Sequence, residues 1–442
     1  MASESLLNSS VSSSCSVKLC TLVKKINLAI VNQKNASIVL EFHKYMQEKG
    51  SSENHQVNNL KVVIDFAKFL GPTMLYEVEN REQVISFLNR KIKSLEDDPE
   101  KRWITTWNHY LNRIKLFERW LFNYYLRHKQ NIQENEEWIT PDFCKIKPKR
   151  TKRLSPYSES EIWERDELLT LIKYEPHLRN KAILSLMWDL NARPHELTLL
   201  RIKNIRLKEA YGEGEIPHQA KTGSGPILLM MSFCYVRDWI NQHPFKNEPN
   251  ARLICNLHNG APIKAKSVWN MMRQLRNRIM RLIETKEISD ESERQQLVYL
   301  LTTKKWNPYS FRHSSITADS DYLPEYALKK KVRWVMNSRQ GNRYIKSRMG
   351  NDLKQKILTY NGIAAPDEMK KKPSVFTCPR CELINAIDNK YCSKCSYPLV
   401  PSAFEEIKMA EKNHIKELKS KYDSDIEYLK SAVRDLQNSA KY

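Results

Sequence analysis

Glycine is scarce in this sequence, at only 10 of 442 residues. Long stretches are instead rich in Leu, Lys, Glu, Ile and Arg, a composition typical of a mainly helical protein with two or three domains. No apolar run approaches the roughly 20 residues of a membrane-spanning helix, so we expect no membrane partner. The N-terminus, MASESLLNSSVSSSCSVKLC, lacks the basic and then apolar order of a secretory signal, which predicts a cytoplasmic protein.

Acidic residues are also too few to balance the basic ones. The chain has 73 Lys and Arg against 51 Asp and Glu, which gives a net charge of +22. Because this charge is spread over segments that have the pattern of folded structure, it predicts a polyanionic partner, above all nucleic acid. The alternative is a charge that serves only solubility.

Cysteine occurs in two patterns. Five cysteines are scattered and are predicted to be reduced thiols of a reducing cytoplasm: Cys15, Cys20, Cys144, Cys234 and Cys255. The other four form a C-x2-C-x10-C-x2-C motif: Cys378, Cys381, Cys392 and Cys395. Two such pairs can surround one ion tetrahedrally, so we predict a zinc ribbon with one structural Zn²⁺. The alternative is a redox-active disulfide pair.

The first third of the chain has helical periodicity. Residues 1–34 are predicted to be a mobile tail, with a short helix over Val17–Val31 as the alternative. Residues 35–135 are predicted to be a helical domain, because apolar residues recur there at spacings of three and four. The Trp- and Tyr-rich helix 103–125 is predicted to pack as core. Its basic residues, Arg113 and Lys115 among them, would nonetheless suit a surface that faces phosphates.

A basic, proline-punctuated stretch follows at residues 136–157. It contains KIKPKRTKR, and prolines together with like charges favour an extended linker. We predict that this linker crosses DNA and that Lys147, Lys149 and Arg150 contact it. A linker that is merely solvated is the alternative.

From Ser158 onward a second domain is predicted. An apolar helix breaks just before Arg193, and Pro194 then restarts a helix, so that Arg193 lies at a helix N-terminus, where an anion is favoured. Strand signals follow at Gly214–Gln219 and Pro226–Met231, and Lys221 lies in the turn between them.

Two further segments of this domain carry cations. The predicted helix 267–283 has a basic face, with Arg273 and Arg276, which we predict to bind DNA. The stretch from Asn307 to Tyr344 contains Arg312, Trp334 and Tyr344. A guanidinium and an indole N–H can hydrogen-bond phosphate oxygens, and a phenol can attack phosphorus, so these side chains are candidates for a phosphate-handling site. Taken singly, such residues are more often surface or core.

In their order along the chain, these motifs resemble those of the tyrosine recombinase family (phage integrases and Xer-like proteins), especially its archaeal members. The resemblance covers roughly residues 36–363. Asn-Ala-Arg193-Pro-His-Glu196-Leu is similar to the first arginine box of the family, and Lys221-Thr-Gly stands where the family has its β-turn lysine.

The later motifs continue the resemblance. Tyr309-Ser-Phe-Arg312-His313 is similar to the His-x-x-Arg-His box, Trp334 matches the His/Trp position, and Tyr344-Ile is similar to the nucleophile box. Tyr309 departs from the family, which usually has His there and sometimes Lys. A phenol can donate a hydrogen bond to phosphate but is a poor proton acceptor near neutral pH, so phosphate binding survives this change better than base catalysis.

The resemblance implies a domain order. It predicts a SAM-like core-binding domain over 35–135 and a mixed α/β catalytic domain with a small antiparallel sheet over 158–363. The zinc ribbon would then span residues 373–400. An amphipathic helix is predicted for 402–442, where apolar residues again recur at three and four.

The resemblance also implies a metal- and ATP-independent reaction with no catalytic cofactor. Tyr344 would attack the phosphodiester and form a 3′-phosphotyrosine link. Arg193 and Arg312 would hold the non-bridging oxygens, and Lys221 would protonate the leaving 5′-oxygen. Further hydrogen bonds would come from Trp334 and Tyr309, and supporting contacts from Glu196 and His313.

The implied function is site-specific recombination or integration on double-stranded DNA by a tetramer that joins two sites, in association with the nucleoid. An accessory protein could bind the zinc ribbon or the C-terminal helix. Two alternatives use the same fold: a non-catalytic DNA-binding regulator, and a type IB-like topoisomerase that relaxes supercoils. Adduct formation at Tyr344 separates the first alternative from a recombinase, and relaxation by a monomer without sequence preference identifies the second.

Overall fold

The computed structural model describes residues 17–126, 138–150, 157–220, 223–338, 340–341, 344, 357 and 375–439. The chain divides into two compact units, Met1–Arg153 and Leu154–Tyr442. Both are built mainly of helices, and the second also contains small antiparallel sheets, which confirms the predicted fold class. Within the described ranges, no helix is both long and apolar enough to cross a membrane.

The described part of the first unit is a helical bundle. Its helices are α1 (Val17–Lys24), α2 (Ile26–Ala29), α3 (Gln33–Glu48), α4 (Glu53–Leu70), α5 (Arg81–Asn89) and α6 (Trp103–Trp120), and a π-helical turn, Leu121–Leu126, extends α6. Aromatic rings fill its core: the ring centroid of Phe42 lies 5.2 Å from that of Phe117 and 5.0 Å from that of Trp120. The aromatic helix is therefore core, as its periodicity predicts.

Both ends of this unit differ from the prediction. Within the stretch predicted as a mobile tail, residues 17–34 form α1, α2 and the start of α3, which agrees with the alternative of a helix there. Leu19, Ile26 and Ile30 bury their side chains in the bundle. Within the predicted linker, residues 138–150 lie on α6. Asn108 exchanges two hydrogen bonds of 2.8 Å with the backbone of Lys149, so this part of the basic stretch is anchored rather than free.

The second unit is organised around a buried helix. Its first helices are α7 (Arg165–Lys173), α8 (Leu178–Asp189), α9 (Pro194–Leu199) and α10 (Ser232–Gln242), followed by α11 (Ala265–Glu284), α12 (Glu291–Thr303), α13 (Pro308–Asp319) and α14 (Glu325–Val332). Residues 182–188 of α8 are all buried. A helix that is covered on every side belongs to the centre of a core, and here α10 and α13 are among the helices that pack against it.

A three-stranded antiparallel sheet lies beside these helices. It consists of β1 (Ile205–Leu207), β2 (Gly212–Ile216) and β3 (Gly225–Leu229), in that order. β2 and β3 begin one or two residues earlier than predicted, and β1 is a strand that the sequence pattern did not predict. Gly214 allows the close approach of β1, because an added Cβ there would lie 2.3 Å from the carbonyl oxygen of Asn204.

The C-terminal region begins with a small hairpin of β4 (Val375–Thr377) and β5 (Ile384–Ala386) and ends in α15 (Pro401–Ser439). The hairpin packs on the main body of the unit, with Ala386 inside the core. Helix α15 is held at its first turn, where Ala403 is buried and Glu406 pairs with Lys390 at 2.7 Å.

Candidate active site and metal centre

Arg193 is fixed by a carboxylate three residues later. Helix α8 ends at Asp189, and Asn191 takes a left-handed conformation with φ of 46°, which reverses the chain before Pro194 begins α9. The fully buried Glu196 side chain then accepts two hydrogen bonds from Arg193, one from its backbone N–H at 2.9 Å and one from Nη1 at 2.7 Å. The turn therefore orients the Arg193 guanidinium.

Arg312 approaches the same turn from α13. Only 4% of its surface is exposed, and its Nη1 donates to the carbonyl oxygen of Asn191. Its Nη2 is buried and has no hydrogen-bond partner among the described residues. Burial and then the charge of Arg193 lower the pKa of Arg312 to about 10, while Glu196 and Tyr344 act in the opposite direction. The guanidinium stays charged at neutral pH and leaves one donor for a further acceptor.

Asn191 ties the Arg193 turn to α13 a second time. Its Nδ2 donates to Ser315 Oγ and to Asp319 Oδ2, both at 2.9 Å. Asp319 also accepts a hydrogen bond of 2.6 Å from Lys331. The two arginine-bearing segments, which are more than a hundred residues apart in sequence, are thus locked together by buried polar contacts.

A third guanidinium, Arg333, joins the cluster. Its Nη2 donates to the carbonyl of Leu190 at 3.0 Å and to Glu196 Oε2 at 3.3 Å, and its side chain is only 4% exposed. Arg333 follows α14 in a left-handed conformation with φ of 59°, which turns the chain inward. The sequence pattern did not predict this role of Arg333, because the residue ends the run KKKVR, in which sequence alone does not show which cation points inward. Its position beside Trp334 was the available signal.

Three arginines therefore surround one carboxylate. Burial alone would raise the pKa of Glu196, but the hydrogen bonds from Arg193 and the charges of Arg312 and Arg333 outweigh it, so the pKa is lowered. Glu196 is ionised and balances one of the three positive charges. A buried excess of positive charge is costly unless an anion binds, so the cluster is suited to a phosphate group.

Tyr344 lies beside this cluster. Its ring centroid is 4.5 Å from that of His313 and 5.3 Å from that of Trp334. Trp334 and Tyr344 both pack on a small apolar group, Ile316, Leu328 and Val332. Burial lowers the pKa of His313 to about 4, so this imidazole is neutral at physiological pH. The structure thus brings a phenol, an indole and a neutral imidazole to the arginine cluster.

One predicted site residue, Tyr309, is exposed rather than buried in the cluster. Tyr309 lies one turn before Arg312 on α13, is 46% exposed, and has its ring centroid 6.0 Å from that of Trp269. Lys221 lies outside the described residues. The turn that follows it approaches the cluster closely: Gly223 has φ of +74°, and an added Cβ would lie 2.8 Å from Cβ of Arg333.

The residues predicted to bind DNA divide into anchored and exposed ones. In the first unit, Lys115 donates to the carbonyl of Ile146 at 2.6 Å, and Lys149 Nζ lies 4.9 Å from the ring centroid of Trp107. Both help to hold residues 138–150 on α6, and Lys149 is half-buried. Lys147 and Arg150 are exposed.

The remaining predicted cations are only partly available. Arg113 in the first unit is half-buried and donates to the carbonyl of His109 at 2.9 Å. In the second unit Arg273 is exposed on α11, whereas Arg276 is half-buried and donates to the carbonyl of Leu301 at 3.5 Å. The exposed cations, such as Lys147, Arg150 and Arg273, leave their charges open to a polyanion.

The four C-terminal cysteines form a compact cluster. Their sulfur atoms all lie within 4.8 Å of one another, and the Cys378–Cys395 and Cys381–Cys392 sulfurs are 3.6 Å apart, too far for disulfide bonds. Four sulfurs at about 2.3 Å from one tetrahedral zinc ion would be about 3.8 Å apart. The cluster therefore has the size and the donor set of a metal centre.

The two halves of this centre have the same backbone geometry. In each Cys-x-x-Cys loop the residue after the second cysteine, Glu382 or Ser396, has a positive φ and donates its N–H to the carbonyl of the first cysteine at 2.9 Å. Asn385 supports the cluster by donating to Cys392 Sγ at 3.6 Å. Such second-layer donors are typical of metal sites.

One acidic side chain, Asp388, connects the segment that carries the four cysteines to the helices of the second unit. Asp388 accepts a hydrogen bond of 2.7 Å from the phenol of Tyr235 on α10 and forms a 2.5 Å ion pair with Lys181 on α8. Arg237 adds a hydrogen bond of 2.6 Å to the carbonyl of Ile384. The metal centre and the arginine cluster thus belong to one folded unit and share α8.

No protein-family model and no curated protein sequence matches the chain. Among solved structures, the chain is similar to XerH site-specific recombinase bound to its palindromic difH substrate, at 13% identity, 78% coverage of this chain, 94% of that chain and a TM-score of 0.48. It is similar to lambda integrase bound to DNA at 8% identity, 71% and 97% coverage and a TM-score of 0.48. The Tn1549 transposon integrase with transposon right-end DNA matches at 13% identity, 74% and 99% coverage and a TM-score of 0.47.

Proposed function

We propose that this protein is a site-specific DNA recombinase that cuts and rejoins strands through a covalent link to Tyr344. The observation that carries the proposal is the excess of positive charge around Glu196, formed by the half-buried Arg193 and the buried side chains of Arg312 and Arg333. The Nη2 of Arg312, which has no hydrogen-bond partner within the described part of the chain, adds a donor for a phosphodiester group, whose charge grows as phosphorus is attacked.

In the proposed reaction the phenolic oxygen of Tyr344 forms a bond to phosphorus while the bond to the 5′-oxygen breaks. Arg193 and Arg312 hold the non-bridging oxygens, and Trp334 adds an N–H donor. Lys221 gives a proton to the departing 5′-oxygen, and the phenolic proton passes to solvent. Attack by a 5′-hydroxyl reverses the step and rejoins a strand, since the phosphotyrosine retains the ester bond that religation needs.

The other side chains have supporting roles in this proposal. His313, neutral and packed against Tyr344, orients the phenol, and Glu196 and Arg333 set the positions of the phosphate-binding arginines. Tyr309, which is half-exposed, would donate to phosphate after a rotation of its side chain. The partner is double-stranded DNA, in keeping with the net charge of +22, and the active assembly is the tetramer on two sites that the family resemblance implies.

We further propose that Cys378, Cys381, Cys392 and Cys395 hold one structural Zn²⁺. All four ligands come from the protein, so the ion would stabilise the ribbon and its contact with α8 and α10 and would take no part in the DNA chemistry. Metal analysis of the purified protein should give about one zinc per chain. Cys392→Ser should lower that value, whereas Cys234→Ser, at a cysteine outside the cluster, should not.

The DNA chemistry is tested with nicked duplexes that trap the covalent intermediate. Wild type, Tyr344→Phe and the control Tyr326→Phe are incubated in EDTA with duplexes that cover candidate attachment sites. Tyr326 is 63% exposed on the neighbouring α14, so its substitution removes the same hydroxyl outside the cluster. We expect a covalent protein–DNA band from wild type and Tyr326→Phe and none from Tyr344→Phe.

Other outcomes identify the competing functions. Tight DNA binding without an adduct at any site would contradict the proposal and identify a DNA-binding regulator. Relaxation of supercoiled DNA by a monomer, without sequence preference, would identify a type IB-like topoisomerase.

A further inference from the structure

Helix α15 is long, amphipathic and almost fully exposed. At 39 residues it is about 58 Å long. After its first turn, its described side chains are exposed, apart from the half-buried Ile407 and Ala432. The exposed side chains include a stripe of large apolar residues: Ile415 at 64%, Leu418 at 42%, Tyr422 at 66%, Ile426 at 46%, Leu429 at 61% and Val433 at 51%. Such a stripe at regular spacing marks an interaction surface.

The spacing of the stripe indicates what kind of surface it meets. Along the stripe the steps are three, four, four, three and four residues, so Ile415 and Ile426, Leu418 and Leu429, and Tyr422 and Val433 are each eleven residues apart. An eleven-residue repeat keeps an apolar line on one side of a nearly straight helix over many turns. The surface is therefore suited to another long helix rather than to a compact pocket.

The same spacing is symmetric about Tyr422. Counting outward from it, apolar residues fall at the same distances in both directions out to two turns, with Leu418 and Ile426 at four residues and Ile415 and Leu429 at seven. The symmetry ends at eleven residues, where Val433 corresponds to Glu411. Two copies of α15 that run antiparallel and cross at Tyr422 would place Leu418 of each beside Ile426 of the other. An isologous pair of this kind is closed by a two-fold axis.

The charges of α15 favour the antiparallel direction. Residues 408–421 contain five lysines and two glutamates, a net charge of +3, whereas residues 422–433 contain three acids and one lysine, a net charge of −2. In an antiparallel pair the basic half of each helix lies along the acidic half of the other, with Lys421 level with Asp423 and Lys419 level with Asp425. A parallel pair would place like charges side by side.

We propose that α15 is a dimerisation helix that pairs antiparallel with α15 of a second copy of this chain, about a two-fold axis at Tyr422. The proposal goes beyond the DNA chemistry and does not depend on it, because the pairing forms without DNA. It would bring two cation clusters into one particle before either meets a substrate.

The first test measures the molar mass of the full chain by light scattering and analytical ultracentrifugation in the absence of DNA. We expect a dimer for wild type and, for Leu418→Asn/Ile426→Asn, a twofold lower mass at the same concentration. Met409→Asn, at a residue that is 71% exposed on α15 outside the stripe, is the matched control and should remain dimeric. A monomeric wild type, or a dimer that survives the double substitution, would overturn the proposal.

Charge reversal tests the direction of pairing. Lys419→Glu/Lys421→Glu should weaken the dimer at least tenfold, because glutamates would then lie level with Asp423 and Asp425 of the partner. Adding Asp423→Lys/Asp425→Lys in the same chain should restore dimerisation, since both charge pairs are then reversed. If the variant with all four substitutions did not dimerise as tightly as wild type, antiparallel pairing would be contradicted.

Cysteine cross-linking gives an independent measure of direction. A chain with Leu418→Cys/Ile426→Cys should form a disulfide-linked dimer on mild oxidation, whereas Leu418→Cys alone should not, because only a parallel pair places residue 418 beside itself. Wild type under the same oxidation controls for the native cysteines. An efficient cross-link from Leu418→Cys alone would show the parallel arrangement and overturn the proposed one. Because α15 is exposed, the thermal unfolding of the remaining structure should be unchanged in every variant.

Discussion

Two buried glutamates, one in each unit, have opposite surroundings. Glu196 in the second unit is fully buried, accepts hydrogen bonds from Arg193 and has Arg312 and Arg333 near it, and its pKa is lowered. Glu118 in the first unit is 2% exposed, its Oε1 has no hydrogen-bond partner among the described residues, and burial raises its pKa well above the usual value.

The comparison shows how the same side chain can either organise a site or weaken a core. A carboxylate that is surrounded by guanidinium groups is ionised and fixes their geometry, whereas a buried carboxyl group without such partners has a raised pKa and costs stability when it ionises. The charge of Glu118 also affects a neighbouring thiol: burial and then Glu118 raise the pKa of Cys144, while Lys115 lowers it. The following substitutions test this contrast in order of expected effect.

The largest effect is expected for Glu196→Gln. The change removes the one negative charge that lies among three guanidinium groups, so the free energy of unfolding of the second unit should fall by about 3–5 kcal/mol. Hydrogen exchange of peptides from α8 and α9 would measure this loss locally. Inorganic phosphate should restore part of it, because an anion bound to the cluster replaces the missing charge.

Glu215→Gln is the matched control for that experiment. Glu215 lies on β2 with 56% of its side chain exposed, and its substitution should change stability by no more than about 0.5 kcal/mol. If Glu196→Gln changed the free energy of unfolding as little as Glu215→Gln, the ion cluster would not stabilise the site. The contrast between Glu196 and Glu118 would then be contradicted.

A smaller effect of opposite sign is expected for Glu118→Met. The folded pKa of Glu118 lies above its usual value of 4.5, so the folded state holds this proton more tightly than the unfolded state. The stability of the first unit in wild type should therefore fall as pH rises from about 4.5 through the raised pKa. Replacing the carboxyl by an apolar side chain of similar shape should stabilise the unit at pH 8 by about 1–3 kcal/mol.

The pH dependence separates titration from packing. Denaturant unfolding from pH 4 to pH 9 should show that Glu118→Gln and Glu118→Met both lose this part of the slope, whereas Glu41→Gln, at an exposed position on α3, keeps it. A slope that is unchanged in Glu118→Gln would show that another group titrates.

The smallest effect is expected for Gly223→Ala. Its φ of +74° disfavours a side chain, and the added Cβ would also lie 2.9 Å from the carbonyl oxygen of Arg333. Gly50→Ala shares the positive φ, at +65°, but no atom of the residues that the structure describes lies within 4 Å of the added Cβ, so the comparison isolates the steric effect. We expect Gly223→Ala to destabilise its surroundings by about 1 kcal/mol more than Gly50→Ala does. Hydrogen exchange around each glycine would measure the difference, and equal effects would contradict close packing of the turn on Arg333.

The sequence predicted the helical class, the aromatic core of α6 and the sulfur cluster, because periodicity and cysteine spacing are local signals. The roles of Arg193, Arg312, Trp334 and Tyr344 came from the order of their motifs and remain proposals, although the structure does place these residues together. That order did not predict that Arg333 and Asn191 belong to the site, since their contacts depend on the long-range packing of α8, α13 and α14.

Other misses have similar causes. The Ser-rich sequence before Val17 predicts a mobile tail, and three apolar residues, Leu19, Ile26 and Ile30, are too few to predict a helix strongly. In the structure they are buried, because α1 and α2 pack on α4. The hydrogen bonds between Asn108 and Lys149 connect residues that are 41 positions apart in sequence, and local composition does not predict such contacts. The proline-rich basic stretch was therefore predicted to be a free linker. Strand β1 has only three residues, and pairing with β2 defines it rather than its own composition.

The contacts of Asp388 make the C-terminal region part of the second unit, so mutations that shorten the chain should affect the folding of that unit. A frameshift or stop codon after residue 374 would spare every residue of the arginine cluster and Tyr344, yet it would strip Lys181 and the deeply buried Tyr235 of their shared acidic partner. The core would also lose Ala386 and open at α10. Shortened alleles should therefore behave as loss-of-function alleles through poor folding, even though every predicted catalytic residue is retained.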